Sequence, residues 1–252
     1  MRRFVFWVVP LTVALAATLI FGWGFYAFIR GNLGQPVDWV PRANASAAAP
    51  RDVLTPIIVG DSLARGTGDS TGLGIAGRLD QELRGRRIRA NRTVNLGING
   101  QRTINLQRQL ESRNIRTLLA QSNVVIVSIG GNDLWGGSDW RNAPPSDPDA
   151  VMGEVLDRIG RVLQTVREAN PRARIFFIGL YNPFASSPIG AQLTTLVNRW
   201  NARLLERFGR DANFTLVQTS DLFSHHQRLS VDNFHPGDEG YALIARRIAD
   251  SF

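Results

Sequence analysis

Cysteine is absent from the 252 residues. A disulfide framework, a thiolate nucleophile and a cysteine-ligated metal site are therefore closed to this chain. Lipid modification on an N-terminal cysteine and palmitoylation are closed as well. Lysine is also missing: all 29 basic residues are arginine, set against 21 acidic ones, for a formal net charge of +8. The arginines read as scattered along the chain. That fits an arginine-rich coding bias better than a dedicated anionic partner, and no basic stripe points to nucleic acid. Histidine is scarce, with three in all, so each one is worth weighing. No internal repeat is present. With 44% hydrophobic and 20% charged residues, the composition is that of a folded globular chain rather than a disordered one.

Charge is missing altogether from Phe4 to Ile29, a run of 26 residues. At about 1.5 Å per residue this is long enough for a hydrocarbon core of about 30 Å. Arg2 and Arg3 precede it and Arg30 follows. The positive-inside rule then puts the N-terminus in the cytoplasm and the rest outside. Trp23, Phe25 and Tyr26 sit near the outer end, where aromatic rings favour the interface. The expectation is a transmembrane signal anchor over 1–30. A cleaved signal peptide is the competing reading, and the apolar run is too long for its h-region. Either one exports the remainder. Pro36, Pro41, Pro50 and an alanine-rich run at Ala45–Ala49 make 31–51 an extracytoplasmic linker.

From residue 52 to 252, short apolar runs alternate with amphipathic stretches. Leu54–Val59, Val124–Ile129, Ile175–Leu180 and Phe214–Val217 are strand candidates, with a weaker one near Ile88–Leu96. Their continuous apolarity suits strands covered on both faces. Val151, Val155, Ile159, Val162, Leu163 and Val166 repeat at helical spacing, as do Leu193, Leu196, Val197, Trp200, Leu204 and Phe208. A last helix carries Leu243, Ile244 and Ile248. This rhythm implies a parallel sheet with right-handed crossovers. In such sheets the site forms beyond the carboxyl ends of the strands.

Four segments stand at those ends. Gly60-Asp61-Ser62-Leu63 places a serine on a sharp strand-to-helix turn, where it can serve as a nucleophile or, with Asp61, simply cap the helix. Asn95-Leu96-Gly97-Ile98-Asn99-Gly100 offers glycine N–H groups to a developing oxyanion. In Gly130-Gly131-Asn132-Asp133, the asparagine amide can donate to the same charge. Asp232-Asn233-Phe234-His235-Pro236 puts a histidine three residues after a carboxylate that can orient its ring. His225 and His226 lack that spacing and read as solvated or packing residues.

Together the four blocks resemble the SGNH hydrolase family, also called GDSL esterases, over residues 52–252. The resemblance implies a three-layer α/β/α, flavodoxin-like domain with a five-stranded parallel sheet. It implies Ser62 as nucleophile, Asp232 and His235 as its triad partners, and an oxyanion hole of Ser62, Gly100 and Asn132. Gly100, five residues after Asn95, fits the family spacing better than Gly97. Gly60–Asp69 with Gly72 and Gly74, and Gly179–Phe184, look like the membrane-anchored, lysophospholipase-like branch of Gram-positive bacteria. That likeness makes Leu63, Tyr181 and Phe184 candidate substrate-binding residues, with loop packing equally open for the two aromatics. No cofactor or metal is called for. The implied partner is an acyl ester, lipid or acylated glycan. The expected activity is a serine esterase of lipase or lysophospholipase type, the alternatives being a carbohydrate O-acetyl esterase or transferase and a non-catalytic binding module.

Overall fold

The structure, a computed structural model, describes residues 2–29, 53–134, 147–223 and 228–252. The linker at 31–51 and His225 and His226 fall outside the described residues. The chain forms two units, Met1–Ser46 and Ala47–Phe252.

The first unit is the helix α1 (Arg2–Ile29). Its described side chains, residues 11–26, are almost all exposed. Among the described residues no helix is long and apolar enough to cross a membrane. The transmembrane helix expected from the sequence is thus not found among the described residues.

The second unit carries β1 (Pro56–Gly60), β2 (Val94–Gly97), β3 (Val124–Ser128), β4 (Arg174–Ile178) and β5 (Phe214–Val217). All neighbouring pairs are parallel, in the order β2-β1-β3-β4-β5. β1 and β3 are buried at every position. Their residues alternate between two cores, as a side-chain period of two requires. Ile57, Val59, Val125 and Val127 face one core, and Ile58, Val124 and Ile126 face the other. Each fully buried Ile or Val contributes about 1.5–3 kcal/mol of apolar transfer.

On one face lie α4 (Thr103–Glu111), α5 (Arg113–Gln121), α7 (Pro148–Ala169) and α8 (Gly190–Phe208). On the other lie α3 (Gly74–Gly85) and α9 (Asp238–Ala249). Two four-residue helices, α2 (Ser62–Arg65) and α6 (Gly131–Leu134), follow β1 and β3 directly. This is the three-layer α/β/α arrangement expected. Both cores and all five strands lie between residues 54 and 252, so the second unit folds on contacts of its own.

The weak second strand is real but shorter than the apolar run near Ile88–Leu96. It occupies an edge, and Val94 and Asn95 are exposed there. Ala90 makes only an isolated bridge to Leu54.

Candidate active site

The sheet reverses its winding between β1 and β3, and the crevice at such a point is where doubly wound sheets bind ligands. Three of the four blocks leave the sheet there. Gly60 ends β1 at φ +132, and a Cβ on it would lie 1.8 Å from the carbonyl oxygen of Ser128. Only glycine lets the two strand ends close up and turn the chain sharply into α2. Asp61 caps α2, its Oδ1 accepting from Leu63 N at 3.1 Å and from Ser128 Oγ at 3.0 Å. The capping role weighed for this block is thus filled by Asp61, which leaves Ser62 at the first helical position with its hydroxyl uncommitted to the cap.

Ser62 Oγ lies 2.8 Å from His235 Nε2. His235 Nδ1 lies 2.6 Å from Asp232 Oδ2. The carboxylate fixes the proton on Nδ1 and leaves Nε2 to accept from the serine. The other carboxylate oxygen, Oδ1, accepts from Ser230 Oγ at 2.6 Å and from the amides of Phe234 and His235, both at 2.9 Å. Burial raises the Asp232 pKa, but these bonds and the one from the His235 ring outweigh it and hold the carboxyl below its ordinary range. The loop closes on itself because Asn233 takes the left-handed conformation at φ +54, which asparagine tolerates better than most residues.

The oxyanion candidates separate clearly. Gly97 N–H donates to Asn95 Oδ1 at 2.9 Å, and a Cβ at 97 would lie 2.4 Å from Arg65 N. Gly97 is a close approach between β2 and α2, with its donor taken. Gly100 sits at φ +72 with open space around it. Among the described residues its N–H and that of Ser62 have no hydrogen-bond partner. Asn132 Nδ2 donates one hydrogen to Gln101 O at 2.9 Å, and the second remains available. That bond ties the Gly-Gly-Asn-Asp block to the loop carrying Gly100. Asp133 reinforces it by accepting from Thr103 N at 2.9 Å and Thr103 Oγ1 at 2.6 Å.

Ser62, Leu63, Asn132, Tyr181, Phe234 and His235 line a cleft of about 50 Å³. Both Leu63 and Tyr181 stand in its wall. Tyr181 also stacks on Phe223 at 4.1 Å and donates from its hydroxyl to Phe234 O at 2.7 Å. Burial holds that hydroxyl well above its ordinary pKa of 10, so it remains a neutral donor. Phe184 is not among the residues lining the cleft. It packs on Phe234, ring centroids 5.7 Å apart.

Several positioning residues escaped the sequence reading. Ser230 holds Asp232, and Ser128 holds Asp61. Gly68 (φ +97) packs so closely that a Cβ would lie 2.6 Å from Pro236 O and 2.9 Å from His235 Cβ. Tyr241 donates to Thr67 O at 2.7 Å, and Ser70 Oγ to Asp238 Oδ2 at 2.6 Å. The strand-adjacent Gly-Thr-Gly-Asp stretch is therefore a seat for the histidine loop. Its glycines were the available signal.

A doubly wound parallel sheet with a serine, a histidine and a carboxylate in hydrogen-bond sequence at its switch point is the arrangement a serine-type hydrolase uses. Residues 58–243 match the GDSL-like Lipase/Acylhydrolase family. The chain belongs to that family and is a carboxylic ester hydrolase of the GDSL type. It is 27% identical over 198 residues to the uncharacterized protein YpmR of Bacillus subtilis (strain 168), covering 75% of this chain and 78% of YpmR. Among solved structures, the lipase Lip_vut3 from a goat rumen metagenome superposes with a TM-score of 0.66 at 20% identity, covering 79% of this chain and 97% of that one. The acetyl xylan esterase Axe2 of Geobacillus stearothermophilus superposes with a TM-score of 0.56 at 20% identity, over 78% and 93%. At such identities these structures establish the fold.

Proposed function

We propose that the chain is a serine esterase acting on carboxylic acyl esters through Ser62, His235 and Asp232. The observation that carries this reading is the continuous chain of short hydrogen bonds, 2.8 Å from Ser62 to His235 and 2.6 Å from His235 to Asp232. His235 Nε2 takes the proton as Ser62 Oγ attacks the ester carbonyl. The oxyanion is received by the N–H groups of Ser62 and Gly100 and by Asn132 Nδ2. The proton passes to the leaving alcohol, and water attacks the acyl-enzyme by the same route in reverse. Labelling with an organophosphonate tests it. The wild-type chain takes one label and Ser62→Ala takes none; undiminished site-specific labelling of the variant refutes the assignment.

The lipase-like reading follows the family. A second reading, hydrolysis of short O-acyl groups on carbohydrate, is favoured by the cleft of about 50 Å³, against about 300–1,000 Å³ for most ligand pockets. Initial rates on one leaving group carrying acetyl to palmitoyl chains separate the two. A rate confined to acetyl selects the second, and a rate rising with chain length selects the first.

The N-terminal segment supports export and a membrane anchor, with the catalytic unit outside the cytoplasm. The support is the 26-residue uncharged run between Arg3 and Arg30. Retention in the membrane fraction after alkaline carbonate, with the catalytic unit open to external protease, is the expected result. A chain released by carbonate, or one shielded from the protease, counts against it.

A further inference from the structure

We propose that the end of the catalytic unit opposite Ser62 is a docking surface for anionic lipid headgroups. The proposal rests on the placement of this unit beside a bilayer. Arg84, Arg86, Arg87, Arg89 and Arg92 fall within nine residues where α3 runs into β2, and all five are exposed. Arg86 pairs with Glu82 and Asp250. Arg84, Arg87, Arg89 and Arg92 make no ion pair among the described residues, and no acidic residue occurs between Leu83 and Leu110. Beside them opens a groove of about 380 Å³ whose polar lining is Arg84, Arg92, Asn91, Gln81 and Asp80, the rest being glycine and apolar residues such as Leu73 and Ile88. The one carboxylate there is occupied: Asp80 Oδ1 accepts from Thr93 N at 2.9 Å and Thr93 Oγ1 at 2.6 Å. The groove therefore offers guanidinium and amide donors to a phosphate, and the guanidinium fork suits that anion.

The position of this cluster is as telling as its charge. It lies at the amino ends of the strands. Leu54 N donates to Arg89 O at 2.8 Å and Asn91 N to Leu54 O at 2.7 Å, so the backbone leading into β1 runs along the same loop. Ser62, Gly100 and Asn132 follow the carboxyl ends of β1, β2 and β3, roughly 15 Å away at about 3.3 Å per strand residue. A unit docked by its arginines turns its cleft away from the lipid. The esters it then meets are dissolved or polymer-borne, presented from the far side, rather than lipids of the supporting bilayer.

Sedimentation of residues 47–252 with vesicles tests the docking. Vesicles of phosphatidylcholine alone are compared with vesicles carrying about a third phosphatidylglycerol. The unit binds the anionic vesicles, ignores the neutral ones and is released by salt. Each arginine near such a surface is worth about fivefold in affinity. The combined variant Arg84→Gln, Arg87→Gln, Arg89→Gln and Arg92→Gln therefore loses more than about tenfold while hydrolysing a water-soluble ester at the wild-type rate. Equal binding by wild type and variant, equal binding to both vesicle types, or capture by duplex DNA in preference to anionic vesicles overturns the proposal. Residues 1–46 are absent from this assay. If the full chain stays with membranes while residues 47–252 ignore the vesicles, docking fails and the anchor stands. If the full chain is released while residues 47–252 bind, the anchor fails and docking stands.

Discussion

Replacing Asp61 by asparagine makes the protein more stable at neutral pH and leaves its acid stability unchanged. Asp61 is buried between the start of α2 and Ser128, and burial raises its pKa from the ordinary 3.8 to about 6. The bonds from Ser128 Oγ and the amides of Leu63 and Ala64, and the charge of His235, oppose the rise without cancelling it. The gap between 3.8 and about 6 corresponds to about 3 kcal/mol. A carboxyl with a raised pKa in the folded state holds its proton more tightly there than in the unfolded chain. Its contribution is therefore complete below 3.8 and is lost as pH climbs through about 6. Asparagine cannot ionise, yet it keeps an acceptor for Leu63 N and Ser128 Oγ and caps a helix as well as aspartate does. Urea unfolding of residues 47–252 across this range measures the difference between variant and wild type. It is close to zero below about pH 4 and grows to about 3 kcal/mol in favour of Asp61→Asn above about pH 7. A difference that does not vary with pH, or a wild type that is the more stable at pH 8, refutes the claim that burial dominates this carboxyl.

Asn132→Ala removes one donor to the oxyanion and lowers kcat by about 10²–10³, or about 2.7–4 kcal/mol, with KM little changed; a drop in affinity alone argues against that role. Gly97→Ala drives a Cβ to 2.4 Å from Arg65 N and lowers Tm sharply. Gly100→Ala meets no atom and bears only the left-handed backbone at φ +72, about 1–2 kcal/mol; equal thermal shifts for the two contradict their separate roles. Ser230→Ala deletes the 2.6 Å bond that helps fix Asp232 against His235 Nδ1; kcat falls with KM little changed, and an unchanged kcat removes Ser230 from the positioning set.

The strand ends were legible because a parallel sheet writes its core as apolar runs and leaves its chemistry just beyond them. β1, β3, β4 and β5 and their following residues declared themselves in that way. β2 showed only as a weak run, since an edge strand with Val94 and Asn95 exposed needs little apolar sequence. α3, α4 and α5 were unmarked for a related reason: each is rich in arginine and glutamine, and α4 buries only Thr103, Leu106 and Leu110. Within the site, the residues proposed to react stand out by type and order, whereas those that position them do not. Ser230 is an ordinary serine until the turn at Asn233 brings Asp232 against it, and Gly68 is one glycine among 24 until His235 packs on it. The arginines of 84–92 show the same effect at the surface. In the sequence they form a local run in a chain of 29 arginines, and a run alone does not say which of them are paired. What sets them apart is that Asp250, just after α9, pairs with Arg86, while Arg84, Arg87, Arg89 and Arg92 make no ion pair among the described residues. The sequence shows the local lack of acids between Leu83 and Leu110, but which distant acids reach the arginines appears only when the segments are packed side by side. The imbalance falls at the end of the sheet where the chain enters, not at the end where the serine leaves it.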